Sequence, residues 1–196
     1  MKPLDRTYTI SAATEEYYRL TVKKVYKGKV STYFHTDLKE GDIIQTREPQ
    51  GHFVLQYETS DAITRNIDPP STVVFISAGI GITPLVPMLK QVVEAAEAGR
   101  HKPRVIWIHG TQSPTDLPKT LHQEVESYLK RYRRANGSAF EIIRLSRSLG
   151  DATETELKSG GSERGFWSKG RLSKEVLDTI LKSNEVKRDT THFYTC

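Results

Sequence analysis

The chain has 196 residues, 36% hydrophobic and 27% charged, with a net charge of +5. This composition fits a globular protein of one large or two small domains and excludes disordered or collagen-like chains. Its 29 Lys and Arg are scattered among 24 Asp and Glu, and the densest basic cluster, Lys130-Arg131-Tyr132-Arg133-Arg134, lies at a helix end, so no nucleic-acid partner is expected.

The first residues, Met1-Lys2-Pro3-Leu4-Asp5, lack the apolar core of a signal peptide, and no later run reaches transmembrane length. A cytoplasmic protein with no membrane partner is expected. Residues 6–12 and 17–25 read as strands, the second alternating Tyr18, Leu20 and Val22 against Arg19, Thr21 and Lys23. Gly28 then precedes Lys29-Val30-Ser31, where Ser31 is placed to cap a short helix. Gly41-Asp42 turns into a strand over 43–48, and Pro49-Gln50-Gly51 turns into another over 52–57. Short strands joined by glycine turns predict a small antiparallel barrel over residues 1–58.

Residues 59–71, ending in Pro69-Pro70-Ser71, are polar and unperiodic and read as a linker. Beyond it a strand over 73–77, a helix over 84–98, a strand over 104–109, a helix over 120–133 and a strand over 140–145 alternate. That order predicts a parallel, doubly wound α/β domain over 72–196. Leu121, Val125, Tyr128, Leu129 and Tyr132 mark the buried face of the second helix. Residues 149–169, rich in Gly, Ser, Thr and charge, read as a surface loop. Ser173 caps a last amphipathic helix carrying Val176, Leu177, Ile180 and Leu181, and His192 to Cys196 begin a further strand. Cys196 is the single cysteine, so no disulfide framework, CxxC site or metal centre is expected.

The chemistry is concentrated where the first α/β strand meets its helix. Gly79 and Gly81 permit positive φ and close approach of a ligand, and Thr83-Pro84 reads as an N-cap followed by proline at the first helical position. Free amides and the positive helix end then face the turn. Pro84 replaces the third glycine of the dinucleotide fingerprint, and the strand over 104–109 ends without an acidic residue for a ribose hydroxyl. A standard Rossmann dehydrogenase is therefore disfavoured. The string Ser77-Ala78-Gly79-Ile80-Gly81-Ile82-Thr83-Pro84 instead resembles the nicotinamide-binding turn of the ferredoxin reductase-like flavoenzymes, which include the reductase parts of flavohaemoglobins and phthalate dioxygenase reductase-like proteins.

Further segments carry the same resemblance in the same order. Arg6-Thr7-Tyr8-Thr9 is similar to the family's flavin signature, which implies an arginine on the flavin phosphate, a tyrosine stacked on its ring and Thr9 near its N5 atom. Gly28-Lys29-Val30-Ser31 resembles the segment whose helix N-terminus receives the flavin pyrophosphate, which favours FAD over FMN. Trp107-Ile108-His109-Gly110-Thr111 is similar to the strand end where the adenosine part of the nicotinamide cofactor lies, although His109 reads equally as a hydrogen-bonded strand-end histidine. Ser146-Arg147 hints at a 2′-phosphate site, and NADH versus NADPH stays open. Phe193-Tyr194-Thr195-Cys196 resembles the segment that brings a cysteine beside the nicotinamide C4.

The resemblance implies a flavin-dependent oxidoreductase using FAD with NADH or NADPH, in which Thr9 and Cys196 flank hydride transfer and electrons pass on to a haem or iron–sulfur acceptor. Compared with that family, the opening barrel strands and everything after the cysteine are missing, so a fragment is expected and its activity by itself stays open. The alternative is a non-catalytic module that binds nucleotide or a partner. Pro87 is a further departure, expected to forfeit an early helix hydrogen bond or to make the first turn irregular.

Overall fold

A computed structural model describes residues 4–57, 68–112, 119–136, 140–146, 165–169 and 172–196. Its frame is a five-stranded sheet formed by β3 (Thr72–Ala78), β4 (Arg104–Thr111), β5 (Phe140–Ser146), β6 (Gly165–Lys169) and β7 (Thr191–Thr195). The spatial order is β6-β5-β4-β3-β7, and every neighbouring pair is parallel.

β3 forms the centre because nearly every residue is apolar or β-branched, which suits a strand covered on both faces. Val73 and Phe75 point one way, into a cluster with Val105 and Trp107 of β4, α2 (Leu85–Glu97) and α3 (Lys119–Asn136). Val74 and Ile76 point the other way and pack with Ile106 and Ile108. The apolar residues expected on α3, from Leu121 to Tyr132, are all buried. Each such side chain taken from water contributes roughly 1.5–3 kcal/mol. The second face is covered more lightly by α4 (Lys174–Ser183), whose Val176, Leu177, Ile180 and Leu181 are half-buried. Ser173 caps α4 as expected, its hydroxyl accepting from the Val176 N–H at 3.3 Å.

Three local expectations change. Residues 165–169, expected within a loop, form β6 along the open edge of β5. The helix over 84–98 starts at Leu85 with Pro84 as N-cap, while Gly79–Ile82 wind into a 3-10 turn. Pro87 is thereby the third helical residue, whose N–H lies among those without an intrahelical acceptor, so its proline costs little. The rest of the predicted linker and loop, 58–67 and 147–164, including Arg147, lies outside the described residues.

The N-terminal part carries less regular structure than expected. β1 (Ile10–Ala13) and β2 (Tyr18–Leu20) pair antiparallel with an irregularity between Ile10 and Ala12, and α1 (Lys29–Thr36) follows. Residues 43–48 and 52–57 are not strands. Residues 41–54 are exposed, and no described strand pairs with them, so their backbone groups lack the ladder that would make them a sheet. The antiparallel N-terminal part is thus an incomplete barrel reduced to one strand pair.

That part is tied to the α/β unit at several points. Leu55 and Tyr57 enter the main core, and the Gln56 N–H donates to the Tyr194 hydroxyl at 3.0 Å. Arg19 of β2 pairs with Glu124 of α3 at 2.8 Å and also donates to Ser11 of β1. β1 itself packs against α2. Among the described residues no helix is long and apolar enough to cross a membrane.

Candidate functional site

In an open parallel sheet, ligands sit beyond the carboxyl ends of the strands where the winding direction reverses. Here β4, β5 and β6 are laid down successively on one side of β3, and the chain then returns to place β7 on the other. The reversal lies between β3 and β7. There β3 ends at Ala78 and β7 at Thr195, with Cys196 following, and the turn Gly79–Ile82 leaves the sheet at the same point.

Gly79 has φ +53°, a left-handed conformation that glycine adopts without strain. Gly81 is required for a different reason. A Cβ added there would lie 2.6 Å from the Cys196 carbonyl carbon and closer still to its oxygen. The turn and the end of β7 are therefore in direct backbone contact. Two hydrogen bonds fasten them: the Cys196 N–H donates to Ile76 O at 2.9 Å, and the Ala78 N–H donates to Cys196 O at 3.1 Å. The Cys196 thiol is exposed and unbonded to another cysteine.

Thr83 is not the N-cap. Its hydroxyl donates back to Ile80 O at 3.0 Å and its N–H to the same carbonyl at 3.1 Å, which closes the 3-10 turn. Pro84 follows as N-cap with no side-chain cap bond, and the first two residues of α2, Leu85 and Val86, are wholly buried. Ile80 stands exposed at the tip while Ile82 is anchored in the core. A turn in which Gly79 takes the left-handed conformation and Gly81 has no room for a side chain, set before a helix without a side-chain cap, fits a dinucleotide pyrophosphate.

His109 lies near the end of β4. It is buried in β4, and its Nδ1 lies 2.7 Å from the Ser77 hydroxyl. Of the two readings left open for this residue, the hydrogen-bonded strand-end histidine matches that geometry.

The flavin segments are brought together. The Tyr8 ring meets Phe34 of α1 edge-on, with centroids 5.4 Å apart, which sets residues 6–9 beside the helix that begins at Lys29. Arg6 and Thr9 are exposed, and the Arg6 guanidinium donates only to the adjacent Asp5 carbonyl at 2.6 Å. Thr7 is exposed beside them. Ser31 differs from expectation: Gly28 is the N-cap, and the buried Ser31 hydroxyl donates to Gly28 O and accepts from the Val25 N–H, both at 3.2 Å. Its hydroxyl staples the approach loop, leaving the backbone amides of Lys29, Val30 and Ser31 to meet an anion. An exposed arginine fork, a half-buried tyrosine and an uncapped helix N-terminus on one side of the molecule fit a flavin with a phosphate tail.

Sequence reasoning gave no role to Ser77, Arg19, Gln56 or Tyr194, because each acts through a partner distant in the chain. Tyr194 stands between Phe75 and Phe53, at centroid distances of 5.6 and 6.4 Å, and burial pushes its phenol above the usual range.

Two family profiles match the chain: the Oxidoreductase NAD-binding domain over residues 75–196 and the Oxidoreductase FAD-binding domain over residues 2–55. A flavohemoprotein of Bacillus cereus is 31% identical over 198 residues, covering 98% of this chain and 41% of the relative. A flavohemoprotein of Bacillus subtilis is 35% identical over 126 residues, covering 64% of this chain and 27% of the relative. The chain thus spans about two-fifths of the Bacillus cereus protein's length. Among solved structures, the cytochrome b5 reductase domain of Ulva prolifera nitrate reductase matches with a TM-score of 0.61 at 18% identity, over 97% of this chain and 66% of that one. The flavohemoglobin of Malassezia yamatoensis, determined with bound FAD and heme, matches with a TM-score of 0.54 at 16% identity, over 96% of this chain and 46% of that one. At such identities the likeness concerns the fold. The residues of the switch-point turn lie inside the first profile and the flavin segments inside the second, and the chain belongs to the oxidoreductase NAD-binding domain family, as a ferredoxin reductase-like module carrying FAD- and NAD-binding domains.

Proposed function

We propose that this chain binds FAD and NADH or NADPH and moves a hydride from the nicotinamide to the flavin, from which electrons leave for a haem or iron–sulfur acceptor. The nicotinamide supplies the hydride and the flavin accepts it. The protein's task is placement. Gly79 to Pro84 hold the pyrophosphate at the start of α2, with Ile80 at the exposed tip, and Cys196 borders the nicotinamide end of the crevice. Arg6 holds the flavin phosphate and Tyr8 lies on its ring. Thr7 and Thr9 flank Tyr8 just ahead of β1, with the Thr9 hydroxyl directed to the reacting edge, and the amides of Lys29, Val30 and Ser31 take the pyrophosphate. His109 supports the turn from beneath. In this reading residues 1–58 form the flavin part and 72–196 the nicotinamide part, joined by 59–71, in a cytoplasmic protein.

The observation that carries the proposal is the contact of turn 79–82 with Cys196 at the sheet's switch point, because it joins two motifs over a hundred residues apart at the place a ligand occupies. Homology to flavohemoproteins favours haem as the acceptor's cofactor. The test is to load the purified chain with FAD under anaerobic conditions and add NADH or NADPH while following the flavin band near ~450 nm. Bleaching supports the oxidoreductase. A chain that binds nucleotide without holding or reducing FAD supports the non-catalytic module.

A further inference from the structure

We infer that Ser77 and His109 form a positioning pair that sets the geometry of the nicotinamide-nucleotide turn from beneath. The inference rests on the nucleotide reading above and adds a residue, Ser77, to which that reading gives no role.

Ser77 of β3 and His109 of β4 are register partners in adjacent parallel strands. Side chains alternate along a strand, so Ser77 shares a face with Val73 and Phe75, and His109 shares one with Val105 and Trp107. That is the face covered by α2 and α3. Each residue is about 1% exposed, and their polar atoms lie 2.7 Å apart. A hydroxyl and an imidazole at this depth are costly unless hydrogen-bonded, and an apolar residue at 109 takes from the Ser77 hydroxyl the imidazole it meets here.

The position matters more than the bond. Ser77 lies between Ile76, whose carbonyl accepts from the Cys196 N–H, and Ala78, whose N–H donates to the Cys196 carbonyl. Two residues after Ser77 the chain enters the left-handed conformation of Gly79. The 3-10 turn itself packs on both β3 and β4. Anchoring the Ser77 side chain to the neighbouring strand therefore holds three things in register: the last ladder bonds to β7, the carbonyl against Gly81, and the start of the turn. His109 contributes without touching the ligand.

The probes are NAD+, NADP+ and 5′-AMP, titrated calorimetrically into the FAD-loaded wild-type chain and into Ser77→Ala, His109→Leu, His109→Asn and the Ser77→Ala/His109→Leu double variant. Cooperative thermal unfolding of each is followed in parallel. Ser77→Ala and His109→Leu should each weaken the preferred dinucleotide about five- to ten-fold, the worth of one net hydrogen bond, while 5′-AMP affinity stays within about two-fold. The double variant should be no weaker than the worse single one, since both break one interaction. His109→Asn, which keeps a polar atom near the Nδ1 position, should recover most of the loss. A purely structural pair would lower the unfolding temperature without separating dinucleotide from 5′-AMP, and that result overturns the inference. It is equally overturned if His109 variants lose 5′-AMP as strongly as dinucleotide, or if Ser77→Ala binds dinucleotide like the wild type. The Ser77→Ala arm removes a single atom and decides the matter even where His109→Leu does not fold. A wild-type chain with no affinity for any nucleotide removes the functional reading itself, whereas wild-type binding with an unresponsive Ser77→Ala removes the positioning pair alone.

Discussion

The two parts of this chain hold their ligand segments in different ways. In the α/β part the turn at residues 79–84 rests on strands that carry wholly inaccessible residues, Val73 and Phe75 among them. In the flavin part Arg6 and Thr9 lie exposed just ahead of a short strand pair, and the stretch beyond α1 leaves Ile43 94% exposed. A ligand turn backed by a parallel sheet inherits its precision from buried packing. A ligand segment on a thin strand pair depends on a few polar ties and on the ligand itself, which stabilises by mass action whichever form binds it.

The largest test of that contrast is a pair of core and surface truncations. Leu89→Ala, in a fully buried position of α2, should lower stability by about 2–5 kcal/mol in urea denaturation, whereas Ile43→Ala should change it by no more than about 0.5 kcal/mol. Equal losses would mean that the stretch beyond α1 is packed as firmly as α2. Next in size is Arg6→Ala, which in the proposed function removes a charge-assisted contact to the flavin phosphate and should then weaken FAD by about ten- to a hundred-fold. Fluorescence titration of FAD reads this directly, and undiminished affinity would reduce the flavin signature to an ordinary strand.

Gly81→Val should weaken nicotinamide nucleotide by about ten-fold while leaving most of the unfolding temperature intact, because its side chain collides with one residue at the end of β7 and not with the core. A folded variant of unchanged affinity would deny that the Gly81–Cys196 contact shapes the site. The smallest effect belongs to His192 on β7, whose ring meets Tyr57 edge-on at 5.8 Å. Burial lowers its imidazole pKa, so the folded chain binds that proton less readily than the unfolded one. Stability is then fully present above the unfolded value of about 6.5 and declines as pH falls from there through the lower folded value. His192→Phe should flatten this part of the pH–stability curve, and an identical slope in both proteins would show that the proton is taken up elsewhere.

Much of the α/β part was legible because its signals are local. The run Val73 to Ile76, the glycines, and the spacing from Leu85 to Ala96 each report burial within a few residues. The tertiary ties were not. No local pattern shows that β4 lies beside β3 in the register that pairs Ser77 with His109, and that register decides whether His109 meets a ligand or a hydroxyl. β6 was hidden for a related reason, since Gly165–Lys169 becomes a strand by pairing with β5 and follows a stretch whose composition reads as loop. Residues 43–48 and 52–57 failed in the opposite sense: their sequence suits a strand, but strands require partners. At Ser31 the residue was found and its role misjudged, because a serine after glycine reads as a cap whichever way the hydroxyl turns.

The central claim is that a hydride passes from nicotinamide C4 to flavin between Cys196 and Thr9. It is tested most directly by following single-turnover reduction of the FAD-loaded chain with NADH or NADPH deuterated stereospecifically at C4, each face in turn. The account predicts that deuterium on one face alone slows the bleaching of the flavin band, because the turn at Gly79 to Pro84 presents the ring in one orientation. Flavin reduction that is indifferent to deuterium on either face, or no reduction with both cofactors bound, would contradict it.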